Sequence, residues 1–157
     1  MKAIVTLLAL VAALGGCASF KGGSTSRPEA AAVVDTLHLD TALLYAKTWN
    51  MVRIESGDRS IDVPAGEEAT LVFDPQTSRI HGTCCNRYFG AFTLRGNVVT
   101  FDRVGATKML CTGAIGDVER LYRRLLAAPL AATVDESTLV LKSDQGTITF
   151  KAGKVAK

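Results

Sequence analysis

Cys84 and Cys85 stand side by side three residues after His81, and Cys111 follows 26 positions beyond Cys85. Adjacent thiols near an imidazole, with Cys111 as a fourth donor, have the softness for zinc or copper(I), although nothing in the spacing fixes a tetrahedral geometry. Thiol redox cycling has weaker support, because the Cys-x-x-Cys spacing that lowers a thiol pKa is missing. In an oxidising compartment three cysteines form one bridge and leave one thiol. Cys111 is the member distant in sequence, so its partner is Cys84 or Cys85 unless the rare vicinal ring forms. The loop so closed, about 26 residues, stabilises the fold by roughly 3 kcal/mol in the chain-entropy model, enough for a purely structural role.

Other chemistry finds little support in the residues. No serine, histidine and aspartate fall in a nucleophile elbow, no glycine-rich phosphate loop follows a strand, and no helix carries paired metal ligands, so the chain does not read as an enzyme. His38 beside Asp40 is too small a set for a metal. The net charge of +3 over 157 residues is low and scattered, with no basic run interleaved with aromatics, which argues against nucleic acid as a partner.

The fourth cysteine, Cys17, belongs to a different chemistry. Met1 and Lys2 form a short positive region, residues 3–14 are apolar but short for a bilayer crossing, and small residues follow, the layout of a secretory signal peptide over 1–16. Leu14-Gly15-Gly16-Cys17 resembles the lipobox of bacterial lipoproteins, in which the cysteine becomes the acylated first residue. Two or more acyl chains hold a protein stably, so Cys17 reads as the lipidation site and the membrane as a partner. Residues 17–40, rich in Gly, Ser, Ala and Lys, read as a flexible tether. Ala18 and Ser19 stand where an aspartate would retain such a lipoprotein in the inner membrane, which favours the outer membrane and its periplasmic side.

The elements that must position Cys84, Cys85 and Cys111 are mostly strands. Residues 48–55, 60–63, 69–73, 79–83, 90–95, 98–102, 131–134, 138–142 and 147–150 have β-branched or alternating patterns bounded by turn residues. Asp74-Pro75 and Gly96-Asn97 mark tight reversals, the latter suited to primed hairpin turns. Leu139 and Leu141 face Ile148 and Phe150 in the simplest pairing. Residues 103–108 read as a loop, and 152–157 as a frayed basic tail closing a folded domain over 41–151. Residues 114–127 switch to helical period, with Ile115, Val118, Leu121, Tyr122, Leu125 and Leu126 at the spacings of an amphipathic face, Glu119 and Arg123 spaced as a four-residue ion pair, and Pro129 as the stop.

Trp49 in its strand, Cys85-Asn86-Arg87-Tyr88-Phe89-Gly90, Thr107-Lys108-Met109-Leu110-Cys111 and Glu119 in the helix together resemble the META domain of HslJ-like bacterial lipoproteins, across about residues 48–150. Cys84 stands where that family usually has glycine, and Leu110 where it has alanine. The resemblance implies an α+β domain, mostly antiparallel β, as a curved sheet or partly open barrel with one helix packed on it. It also implies a Cys85–Cys111 disulfide and assigns Trp49, Asn86, Tyr88, Gly90, Thr107, Met109 and Glu119 to the family motif, with no cofactor and no established catalysis. Within that motif Asn86 suits a left-handed turn and Gly90 a bulge, while Tyr88 and Phe89 point to opposite sides, one into the core and the other over the bridge.

The function so implied is a periplasm-facing lipoprotein that supports the envelope or stress tolerance by binding an envelope protein or ligand. The alternatives are a soft-metal or thiol-redox protein using Cys84, Cys85, Cys111 and His81, and an inhibitor of an envelope hydrolase.

Overall fold

The computed structural model describes residues 39–155. The expected signal peptide, Cys17, His38, most of the tether and the last two residues lie outside the described residues.

Leu39 is buried, and Asp40 caps a short helix, α1 (Thr41–Tyr45), by accepting the Leu43 N–H at 3.1 Å. Five residues are too few to show a period, and the sequence pattern gave no sign of this second helix. Trp49, fully buried, donates its indole N–H to the Leu44 carbonyl at 2.9 Å, satisfying one of the orphan acceptors at the helix end.

Nine antiparallel strands follow: β1 (Lys47–Ser56), β2 (Arg59–Asp62), β3 (Thr70–Asp74), β4 (Arg79–Cys84), β5 (Asn86–Arg95), β6 (Val98–Ala106), β7 (Leu130–Val134), β8 (Thr138–Ser143) and β9 (Gly146–Val155). Consecutive strands from β3 to β9 are neighbours, β3 also pairs with β1, and β9 returns to pair with β1, so the sheet is ring-like. β2 lies on the same edge of β1, beyond β3.

β1 shows why a strict alternation rule misreads the sequence. Trp49, Met51 and Ile54 all point to the core, and the register against β9 shifts between Met51 and Arg53, where a bulge absorbs one residue and restores the inward face. Leu139 pairs with Phe150 and Leu141 with Ile148, the register the sequence suggests. In the 96–97 hairpin Gly96 alone has positive φ, 59°, the pattern of the type II′ turn.

Two segments differ from expectation. The stretch 103–106 is strand rather than loop: Arg103 takes positive φ, 49°, and the pairing of β5 with β6 slips beside Gly90, where a Cβ would stand 3.0 Å from Val104 and 3.1 Å from the Asp102 carbonyl. Residues 152–155 continue β9 alongside β1 rather than fraying, held by backbone pairing that an Ala-Gly-Lys composition does not advertise.

The long helix, α2 (Gly113–Leu125), buries Ile115, Val118, Leu121, Tyr122 and Leu125 against β1, β2, β4 and β9. It joins the strands in one core, where Phe73 meets Phe92 edge-on at 5.1 Å and Tyr122 lies 5.4 Å from Tyr88 and 6.4 Å from Phe150.

Candidate functional site: the Asn86 clasp

The chain reverses from β4 to β5 over a single residue. Cys84 and Asn86 are paired across it, and Cys85 between them has φ of 57°, a left-handed conformation that costs a non-glycine residue about 1 kcal/mol or more. The left-handed residue is therefore Cys85, one position before the asparagine that the sequence nominates. Its Sγ is bonded to Cys111 Sγ at 2.01 Å, which ties the reversal to the start of α2.

Strand alternation beyond the reversal turns Cys84, Asn86 and Tyr88 inward and Arg87 and Phe89 outward. Phe89, half exposed, lies against Gly105 on the neighbouring strand, a ring covering a residue with no side chain.

Asn86, 4% exposed, uses both ends of its amide. Oδ1 accepts from Thr107 Oγ1 at 2.7 Å and from the Met109 N–H at 2.8 Å. Nδ2 donates to the Met109 carbonyl and to Glu119 Oε2, each at 3.2 Å, and approaches Cys111 Sγ at 3.1 Å. Thr107 adds two backbone ties: Arg87 N–H donates to its hydroxyl at 3.2 Å, and its own N–H donates to the Arg87 carbonyl at 2.9 Å. The segment 107–111, without strand or helix of its own, is thus held by side chains, one backbone bond at Thr107 and one covalent bond.

Glu119 is buried at 8% exposure and turned toward Asn86. The expected Glu119–Arg123 ion pair is not among the ion pairs of the described residues; Arg120 pairs with Asp117 instead. Helical spacing alone brings Glu119 near Arg123, but the amide of Asn86 offers the carboxylate a donor inside the protein.

A second network lies beneath. Tyr88 donates its hydroxyl to the Thr70 carbonyl at 2.5 Å and accepts from the Tyr122 hydroxyl at 2.7 Å. Gly82 makes room for it: a Cβ there would meet the Thr70 carbonyl oxygen at 2.0 Å and the Tyr88 hydroxyl at 2.6 Å. Burial, reinforced by the neighbouring phenol, pushes the Tyr88 hydroxyl well above its usual range, and burial does the same to Tyr122.

Cys84 keeps a free thiol, 1% exposed, beside these phenols. Burial and then the charge of Glu119 push its pKa up to about 12, so it holds no thiolate near neutral pH. His81 faces solvent on β4, opposite to Cys84, so the structure does not gather the four-residue metal set expected from the sequence. Among the described residues the one set with ligand-like spacing is Cys85, Cys111 and Glu119, whose donor atoms lie within 4.8 Å of one another, and two of these are consumed by the disulfide.

Outward from the clasp, Met109 and Leu110 are 60% and 90% exposed. They border an open groove of about 410 Å3 whose other wall is α2, with Lys108, Arg120 and Arg123 along it. Sequence reading located the motif residues but missed Thr70, Gly82 and Tyr122 as their supports. Thr70 and Gly82 serve through a carbonyl and through missing bulk, which leave no signature in residue type.

The mostly antiparallel ring of strands is a fold shared with solved structures. One, titled "NMR structure of the protein from Burkholderia xenovorans", is 25% identical, with a TM-score of 0.60 over 72% of this chain and 86% of that one. A second, titled "NMR structure of the protein", is 18% identical, with a TM-score of 0.57 over 70% and 92%. No curated protein sequence matches. The META domain family model matches residues 41–154, and the chain belongs to that family.

Proposed function

We propose that the chain is a lipid-anchored, non-catalytic binding domain on the periplasmic side of the outer membrane, supporting the envelope under stress through a protein or ligand held at the 107–111 loop. The observation that carries this reading is the direction of the motif side chains. Asn86, Tyr88, Thr107 and Glu119 direct their polar groups to one another and to backbone, leaving no poised acid, base or nucleophile, while Met109 and Leu110 are presented outward. A loop backbone already held in place has little further backbone entropy to lose when a partner covers its side chains. The tether rests on the lipobox-like sequence ending at Cys17.

The test is a photoreactive residue at position 110 in living cells, together with Cys17→Ala. The reading expects a defined adduct in the membrane fraction that is lost when Cys17→Ala releases the protein. Membrane retention of the mature Cys17→Ala protein would contradict the anchor, and an equal adduct pattern from Glu136, exposed in the turn between β7 and β8, would contradict the binding surface.

A second reading has one observation in its favour. If a dithiol reductant opened the Cys85–Cys111 bond, two thiolates and Glu119 would suit a thiophilic cation, with His81 taking no part. Zinc binding by reduced wild type and its loss in Glu119→Gln would support it; equal binding by both would end it.

A further inference from the structure

β6 pairs with β7 through Val98 and Val99 alone, because β7 begins at Leu130, just after the chain leaves α2 through Pro129. From Thr100 to Ala106 the edge of β6 away from β5 carries no strand among the described residues. In an antiparallel strand roughly half of the N–H and C=O groups point to each edge, so this stretch presents backbone donors and acceptors in two short runs, on either side of the irregularity at Arg103.

The end of α2 stands across from this edge, and between them runs a groove of about 250 Å3. Phe101, Val104, Leu126 and Ala127 supply its apolar lining, and the polar share, the larger of the two, includes Arg103 and Arg123. Its one acid, Asp102, is already paired with Arg103 at 3.1 Å. Arg123 also borders the groove beside Met109 and Leu110, so the two depressions adjoin along one face of α2, where Lys108 and Arg120 extend the same charge.

We propose that the free edge of β6 is a strand-addition site for an extended, acidic segment of a partner protein. Backbone pairing to residues 100–106 supplies the affinity, alternate apolar side chains enter the slot against Leu126 and Ala127, and glutamates or aspartates on the other face meet Arg103 and Arg123. This deepens the binding reading above and rests on it.

The probe is a capped ten-residue peptide alternating glutamate and valine, added to the detergent-solubilised full chain and followed by fluorescence anisotropy and amide hydrogen exchange. The proposal expects slowed exchange at alternate amides between 100 and 106, and at least about tenfold weaker binding of the same peptide with lysine for glutamate. Ala127→Trp, which fills the slot from an exposed position, and the double variant Arg103→Gln/Arg123→Gln should each weaken binding about tenfold with Tm unchanged. No binding at millimolar peptide, equal binding of the lysine peptide, or an unaffected Ala127→Trp would overturn the site. Protection confined to residues 107–111 would also overturn it, while leaving the broader binding reading intact.

Discussion

Asn86 binds both backbone groups of Met109, accepting its N–H at 2.8 Å and donating to its carbonyl at 3.2 Å, as a residue of a neighbouring strand would. One side chain thereby substitutes for a strand in a segment that has none. Asn86→Ala would leave the Met109 groups and the buried Glu119 without this partner, so we expect a loss of about 2–4 kcal/mol in denaturant unfolding, well above that of an exposed substitution.

The disulfide should contribute independently. Closing 26 residues corresponds to about 3–4 kcal/mol in the chain-entropy model. Cys111→Ser should lower stability by that order, and alkylation of the denatured, unreduced protein followed by peptide mapping should label Cys84 while Cys85 and Cys111 remain linked.

Cys84 makes stability fall at alkaline pH. Its folded pKa, about 12, lies above the ordinary 9.0, so the unfolded chain releases this proton first. The contribution is complete below pH 9 and is lost at about 1.4 kcal/mol per pH unit as pH rises from 9 toward 12. Tyr88 and Tyr122, also raised, steepen the loss above pH 10. Cys84→Ala should flatten the curve between pH 9 and 10, and native wild type should resist iodoacetamide at Cys84 until it unfolds.

Gly82 and the tyrosine pair predict an order of severity. Gly82→Ala sets a methyl against the Thr70 carbonyl, where backbone must move, and should cost about 3 kcal/mol or more. Tyr88→Phe leaves that carbonyl without its donor and should cost about 1–3 kcal/mol, whereas Tyr122→Phe removes a single hydroxyl bond and should cost about 1 kcal/mol. Thermal or urea unfolding of the three variants ranks them.

Much of this fold is legible because it is local. Asp74 accepts the Gln76 N–H at 2.9 Å as turn chemistry requires, the apolar face of α2 follows its period, and the Leu139–Phe150 register follows from a short hairpin. What the sequence hides is distant or conditional. Pairing of β1 with β9 joins residues about a hundred positions apart, with no turn to announce it. The bulge at Arg103 conceals the end of β6, and α1 is too short for a period. At the clasp, the residue types were visible but not their partners: Glu119, on the buried face of α2 between Ile115 and Tyr122, meets Asn86 rather than Arg123, and Cys85 rather than Asn86 takes the left-handed turn.

Asn86 holds the exposed 107–111 loop in place, and the Met109 amide reports on this directly. Hydrogen exchange of the folded full chain should show the Met109 N–H strongly protected although its residue is 60% exposed, and protection should collapse in Asn86→Ala at temperatures where the core amides of β8 remain protected. Exchange of Met109 at the rate of an unstructured peptide in the wild-type protein would contradict the clasp.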